Sequence, residues 1–520
     1  MIFRSPEPPL ALPETALTPF LLERATSRRD KPAFIDVTSG RTLTLHGWAA
    51  AVRKTAAGLA ARGLRKGDVL ALYSPNRPEY AVAFHAASLL GGILTAANPQ
   101  LTEGELSRQL KDAGARYLVT VPELLPKARQ AAAGLGVRDI IVFDEAEGAT
   151  PFHTLALAEG EPPDTPIDPR KDLVALPYSG GTTGLPKGVM LTHYNMVANI
   201  LQTATAMWVS ERDTLLGVLP FFHIYGLQVL INIALYAGAT VVTLPRFEIE
   251  TCLAAIQRYK ITRAHVVPPI VQALARDPRV DQYALDSLHV VFSGAAPLPE
   301  DVAALASARL GCPVVQGYGL TETSPVTHAT RPDGVRTKRG SIGRPIPNTE
   351  ARVVDVATGA ELGPNEAGEI CIRGPQVMKG YWNRPQATAA MIDPAGWLRT
   401  GDLGYADDDG YFFVVDRVKD LIKHQGLQIA PAELEAVLLS HPAVAEVCVI
   451  PLADPDTGQV PKAFVVLKGE ATPQQLMDFV ALRVAPYKKL RSVEAVDAIP
   501  KSPAGKTLRR LLIERDRASE

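Results

Sequence analysis

The chain has 520 residues, more than one hydrophobic core usually holds, so two or more domains are expected. Its 47% hydrophobic and 21% charged content is that of a globular protein, and a formal net charge of -1 leaves no basic footprint for nucleic acid. Cys252, Cys312, Cys371 and Cys448 have neither metal-ligand spacing nor the pattern of a disulfide framework, which suits a reducing, cytoplasmic setting.

Met1 to Leu22 is broken by Pro6, Pro8, Pro9 and Pro13 and carries Glu7 and Glu14, which argues against a signal peptide. Leu45 to Gly63 places Trp48, Val52, Ala56, Leu59 and Ala60 at helical spacing. Asp68 to Ser74 reads as a strand, and Asn76 with Pro78 reads as the cap and first turn of the next helix. Strands at Tyr117 to Val121 and Asp139 to Phe143 continue an alternation expected of parallel α/β structure. Glu159 to Lys171 is a proline-laden connector.

Thr214 to Pro245 contains no acidic or basic residue over about 30 positions, longer than the ~20 that span a bilayer. Pro220, His223, Gln228, Asn232, Gly238 and Thr240 divide it into strand, helix and strand, so no transmembrane segment is expected. Further strands are predicted near Leu215 to Leu219, Thr240 to Leu244, His265 to Val267, Val290 to Phe292 and Val314 to Gln316. Beyond Arg339, the runs Ala351 to Val356, Gly368 to Arg373 and Tyr411 to Val415 alternate apolar and polar residues between turns, as in a small antiparallel barrel or sheet. The charged break Asp416-Arg417-Val418-Lys419-Asp420 follows. After it come a helix at Pro431 to Leu439, strands at Val444 to Ile450 and Ala463 to Leu467, and a helix at Pro473 to Val484.

The expected fold is α/β: a large N-terminal domain, 1–415, of parallel-type α/β subdomains with a β-barrel-like subdomain. A hinge at 416–420 leads to a small, mobile α+β domain at 421–520.

The stretch around which this organisation turns is Tyr178-Ser179-Gly180-Gly181-Thr182-Thr183-Gly184-Leu185-Pro186-Lys187-Gly188. It is read as a strand feeding a glycine-rich turn that feeds a helix. The glycines let backbone N–H groups converge on an anion, the hydroxyls add donors and Lys187 adds charge. Because Lys187 follows Pro186, the loop is not a Walker A motif, and Pro500 in Pro500-Lys501-Ser502-Pro503-Ala504-Gly505-Lys506-Thr507 excludes that motif a second time.

The order of residues in this loop resembles the phosphate loop of the adenylate-forming enzymes, which include acyl-CoA synthetases, luciferase and peptide-synthetase adenylation domains. Further matches follow in the family's order. Leu219-Pro220-Phe221-Phe222-His223-Ile224-Tyr225-Gly226-Leu227 is similar to the acyl-pocket segment. Ser293-Gly294-Ala295-Ala296-Pro297-Leu298 and Gln316-Gly317-Tyr318-Gly319-Leu320-Thr321-Glu322 are similar to the adenine and magnesium segments. Thr400-Gly401-Asp402 and the Lys506 stretch are similar to the ribose and catalytic-lysine segments. Taken singly, Asp402 reads as a turn residue and His223 as a core histidine. The resemblance assigns them chemistry.

It implies ATP, Mg2+ and coenzyme A as reactants, with Lys506, His223, Thr182 and Lys187 catalytic and Thr182 with Glu322 toward the metal. Nucleotide and coenzyme contacts fall to Ser179, Gly180, Gly181, Thr183, Gly184, Gly294, Ala295, Ala296, Pro297, Gln316, Gly317, Tyr318, Gly319, Thr321, Asp402 and Arg417. Lys419 is the implied pivot, and Lys423, Gly426 and Gln428 face the thiol half-reaction. A carboxylate of pKa about 4 needs no general base to attack the α-phosphate. The difficulty is bringing two anions together, which in-line positioning and cations resolve. Tyr225, Val229 and Phe292 are expected to line the acid. Val229 and Phe292 stand where the similar 4-coumarate-CoA ligases tend to carry Ser and Lys, which favours a medium- or long-chain fatty acid or an apolar aryl acid.

The expected function is therefore an AMP-forming acyl-CoA synthetase acting as monomer or homodimer. Loading of a separate carrier protein, luciferase activity, and a P-loop ATPase or nucleotide-binding module are the alternatives. Pyrophosphate release dependent on a carboxylic acid separates them.

Overall fold

Runs of β-branched residues alternating with alanine- and leucine-rich segments produce two large sheets wrapped by helices. The computed structural model describes residues 1–25, 30–179, 186–333, 337–424, 427–454, 458–484, 486–501 and 507–519, with backbone alone at Lys419, Lys423, Leu427, Gln428, Gly458 and Ser519.

Among the described residues, the first sheet runs in the order Tyr178–Ser179, Lys187–Thr192, Leu173–Ala175, Ile93–Ala97, Val69–Tyr73, Ala115–Thr120, Asp139–Val142, Thr150–Pro151. It is parallel from Leu173–Ala175 onward. The second carries the parallel strands Val314–Gly319, Val290–Ser293, Arg263–Val266, Thr214–Gly217, Thr240–Thr243 and Pro32–Asp36 at its centre. Both read as nearly continuous apolar runs because helices cover them on two faces.

Two local readings are corrected by this arrangement. The glycine-rich loop does not feed a helix: Lys187–Thr192 is a strand antiparallel to Tyr178–Ser179, so the loop joins two strands, and the helix His193–Met207 begins only afterwards. Val189 and Leu191 decide this, since each is fully buried on a strand that also pairs with Leu173–Ala175. Asn76 is not the cap of Pro78–Leu89 either. Arg77 occupies that position without a side-chain cap bond, and the Asn76 amide is engaged elsewhere.

The charge-free stretch folds as strand Thr214–Gly217, a helix that begins with π geometry over Gly226–Ile233 and ends as Ala234–Ala237, and strand Thr240–Thr243. Every residue of Gly226–Ile233 is buried; Gln228 Nε2 donates to Met196 O and Gln228 Oε1 accepts from Asn232 Nδ2. No helix among the described residues is long and apolar enough to cross a membrane.

Phe3–Arg4, Glu350–Val354, Gly368–Arg373, Leu398–Ala406 and Phe412–Arg417 form an antiparallel sheet with its own small core around Val353, Ile370 and Phe412. The C-terminal part has a separate core of Ile422, Ile429, Leu434, Leu438, Val449, Val465 and Leu476 beneath the helices Pro431–Leu439 and Pro473–Ala481. Cys252, Cys312, Cys371 and Cys448 are all free and buried.

Candidate active site

Parallel strands deliver their loops to one edge of a sheet, and ligands bind in the crevice outside those carboxyl ends. Three of the segments singled out in the sequence sit there. Thr214–Gly217 leads to His223, Val290–Ser293 to Gly294 through Pro297, Val314–Gly319 to Thr321 and Glu322, and Arg263–Val266 lies between the first two. The register pairs Ser293 with Gln316 and Val266 with Ser293. Gln316 Oε1 accepts from Leu298 N at 3.1 Å, tying the adjacent segment to it. Ala295 holds a left-handed φ of 69°, unusual for a residue with a Cβ.

Glu322 is buried and binds two hydroxyls through one oxygen. Ser179 Oγ donates to Oε1 at 2.9 Å and Tyr381 Oη at 2.7 Å. Among the described residues no lysine or arginine forms an ion pair with Glu322. A buried carboxylate oriented in this way by neutral donors suits a hard divalent cation, which takes one or two carboxylates plus phosphate oxygens. The Tyr381 ring also lies 5.1 Å from Lys187 Nζ. Strand pairing explains the grouping, because Ser179 faces Lys187 and Val189 faces Tyr381. Burial and the adjacent Glu322 push the Tyr381 hydroxyl well above its ordinary pKa, so it remains a donor.

Asp402, buried at 2% exposure, carries the second polar group. Tyr318 Oη donates to Oδ2 at 2.5 Å, and Arg417 Nε pairs with Oδ1 at 2.6 Å. Asp402 and Arg417 are direct cross-strand partners, so the ion pair follows from register. Burial, then Asp402, raises the Tyr318 pKa and keeps that phenol protonated. Gly319 fits beneath Tyr318 only without a side chain, since a Cβ would stand 1.9 Å from Pro325 O. A carboxylate is the acceptor type that suits diol hydroxyls, and the Tyr318 ring offers a flat face.

His223 Nδ1 accepts from Tyr225 N at 3.1 Å, which places the proton of neutral His223 on Nε2. Tyr225 lies against Gly294, where a Cβ would meet its ring at 3.0 Å. Val229 is fully buried on the π segment. Phe292 stacks on His265 with centroids 5.0 Å apart and planes at 7°, and His265 meets Tyr225 edge-on at 6.3 Å. Burial lowers the His265 pKa to about 3, so the ring is neutral, and neither of its nitrogens has a partner among the described residues.

Beyond the large domain, Lys423 and Gln428 are direct partners in the hairpin of Ile422–His424 and Leu427–Ile429. Lys419 lies in the short turn Val418–Asp420. Thr182, Gly180, Gly181, Thr183, Gly184, Gly426 and Lys506 lie outside the described residues. Gly317 lies in the strand Val314–Gly319 with Tyr318, and Thr321 opens the short helix Thr321–Thr323 that carries Glu322. A concavity of about 230 Å³ at Leu43, Val82 and Phe152 shares no residue with this region.

The family described as AMP-binding enzyme matches residues 21–382, and the AMP-binding enzyme C-terminal domain matches 433–506. The chain belongs to the AMP-binding enzyme family. It is an adenylate-forming, AMP-forming acid–CoA ligase. It is 43% identical to 4-coumarate–CoA ligase of Pinus taeda, with 99% of this chain and 97% of that one aligned. Against 4-coumarate–CoA ligase 5 of Oryza sativa subsp. japonica it is 42% identical over 98% of this chain and 96% of the relative. ATP-bound MatB of Rhodopseudomonas palustris superposes with a TM-score of 0.88 at 30% identity, covering 96% of this chain and 99% of that one. Bacillus subtilis o-succinylbenzoate CoA synthetase with its acyl-adenylate gives 0.83 at 33% identity, covering 96% and 98%.

For an acid–CoA ligase, two side chains in this region had escaped the sequence reading. Tyr381 lies 59 positions from Glu322, and only the strand pairing brings them together. His265 sits between Ala264 and Val266 in a fully buried strand that also carries Arg263, a setting that ordinarily marks a core histidine.

Proposed function

We propose that this ligase activates an aryl carboxylic acid of largely apolar character, in two half-reactions, with coenzyme A as acceptor. The observation that carries the choice of acid is the flat wall made by Phe292 stacked on His265 and closed by Tyr225. Stacked planar rings favour a planar substituent, whereas an extended alkyl chain gains nothing from their alignment. The 4-coumarate–CoA ligases among its relatives support an aryl acid, and Val229 with Phe292 supports low polarity. His265 adds one polar contact to that wall.

In the first half-reaction a carboxylate oxygen forms a bond to the α-phosphorus while the bond from that phosphorus to the β-phosphate oxygen breaks. Pyrophosphate leaves with the electron pair. His223 Nε2–H donates toward the carboxylate, Tyr318 and Asp402 hold adenine and ribose, and Arg417 steadies Asp402. Thr182, Thr183 and Lys187 receive the departing phosphates, and Lys506 bridges carboxylate and α-phosphate. Glu322 with Thr182 would hold magnesium, which supplies positive charge to the phosphoryl oxygens.

In the second half-reaction the coenzyme sulfur bonds to the acyl carbon, and the bond from that carbon to the AMP oxygen breaks. The thiol, of pKa about 8.5, is nucleophilic enough to need no dedicated base. Access is gained by turning the small domain about Val418 and Lys419. Arg417 is held by Asp402 of the large domain, and Asp420 pairs with Arg509 of the small one at 2.7 Å, which supports a pivot between them.

The test is CoA-dependent AMP release with cinnamic, 4-coumaric, benzoic, octanoic and palmitic acids. Cinnamic-type acids are expected to exceed octanoate in kcat/KM by about 10-fold or more, the discrimination that a few kcal/mol of pocket fit supplies. The reverse order would replace the aryl reading by the acyl-chain one.

A further inference from the structure

The segment that carries His223 leaves one sheet and is held by a residue that belongs to the other. Asn76 follows Val69–Tyr73, a strand of the first sheet, and precedes the helix Pro78–Leu89. Its side chain reaches the loop after Thr214–Gly217, a strand of the second. Nδ2 donates to Leu219 O at 2.8 Å and, longer, to Gly217 O at 3.3 Å, and Oδ1 accepts from Phe221 N at 2.7 Å. Asn76 is 7% exposed. One amide thus replaces the strand ladder for the peptide groups on either side of Pro220, which has no N–H of its own. Tyr80, one helical turn on, packs edge-on against Phe221 with centroids 5.9 Å apart. The chain then turns back, His223 N bonding to Pro220 O and Tyr225 N to His223 Nδ1.

We infer that Asn76 is a positioning residue for the adenylation step: it fixes the path of Leu219–Phe221 across the joint between the two sheets and so sets where His223 presents Nε2. The inference rests on the role given to His223 under Proposed function. A cap would have made Asn76 a local helix residue. The observed bonds make it a clamp between units that would otherwise meet at Phe221 only through apolar packing, which resists sliding poorly.

The experiment uses the full-length enzyme and the fastest acid of the panel above, with pyrophosphate release as readout. Asn76→Ala is expected to lower the rate of the first half-reaction about 10- to 100-fold, the scale of a small misplacement of a reacting group. KM for ATP should stay within about 2-fold. In a His223→Ala background, Asn76→Ala should cost less than about 2-fold more, because its effect passes through that histidine. Asn76→Asp keeps the acceptor for Phe221 N and loses both donors. With a carboxylate oxygen set against Leu219 O and Gly217 O it should show the same pattern at least as strongly, and Asn76→Ser, which introduces no such repulsion, serves if the alanine variant does not fold. Gln109→Ala, which removes another buried amide clamp, from the helix Glu103–Ala113 onto the strand Ile93–Ala97, should lower melting temperature without changing the rate. Losses from Asn76→Ala and His223→Ala that multiply, or an Asn76→Ala enzyme that behaves like Gln109→Ala, would overturn the assignment while leaving His223 in place. A His223→Ala enzyme with full activity would remove the histidine's role and the clamp's with it.

Discussion

Tyr318 donates its phenolic hydrogen to Asp402 Oδ2 at 2.5 Å. The residue meant to face adenine and the residue meant to hold the ribose are therefore bonded to one another, and Arg417 completes the group on the other carboxylate oxygen. A nucleotide sugar entering here must share or exchange the phenol's place on Asp402.

Removing that phenol should cost little. Tyr318→Phe keeps the flat ring, so KM for ATP is expected to change by less than about 3-fold. Asp402→Asn should raise it by about 10-fold or more, the scale of hydrogen bonds to a charged group. Initial rates against ATP concentration distinguish the two, and a larger effect from the phenylalanine variant would show the bond to be part of the nucleotide site.

Tyr381 orients Glu322 from a strand that pairs beside Lys187. Tyr381→Phe should raise the Mg2+ concentration for half-maximal pyrophosphate release by about 10-fold, as expected when the partner of a ligating carboxylate is lost. An unchanged Mg2+ titration would separate Tyr381 from the metal.

Burial lowers the pKa of His85, His265 and His328 to about 3 each and that of His193 to about 4. In the unfolded chain these imidazoles titrate near 6.5, so below that pH the unfolded state binds more protons. Their contribution to stability is fully present above about pH 6.5 and is lost as pH falls toward the folded values, at up to ~1.4 kcal/mol per pH unit for each. Melting temperature should therefore fall steeply between about pH 6.5 and pH 4. His265→Leu should flatten that fall, and it should also lower the ratio of 4-coumaric to cinnamic acid in kcat/KM if His265 meets the ring substituent.

The two half-reactions should separate by mutation. Lys506→Ala is expected to lose adenylation by about 100-fold or more, the effect of removing one electrostatic stabiliser, while still converting supplied acyl-AMP to thioester. Lys419→Pro should retain adenylation and impair the thioester step by restricting the turn. Single-turnover measurements of each step test both, and equal loss of the two steps in either variant would count against a mobile domain.

Much of this was legible in the residues themselves, because it depends on neighbours in sequence. Apolar periodicity placed Leu45–Ala61, Pro431–Leu439 and most parallel strands, and the ordered segments around His223, Glu322 and Asp402 named the chemistry. What the sequence could not settle was every feature created by residues distant along the chain. Asn76 beside Pro78 has the local signature of a helix cap, yet its amide bonds to a loop about 145 positions away. Gly188 to Thr192 reads as the approach to a helix, yet burial of Val189 and Leu191 against a neighbouring strand makes it β. Tyr381 carries no local mark at all. The physical reason is common to the three: a backbone group or hydroxyl taken from water must find a partner, and which partner is within reach is decided only when the sheets come together.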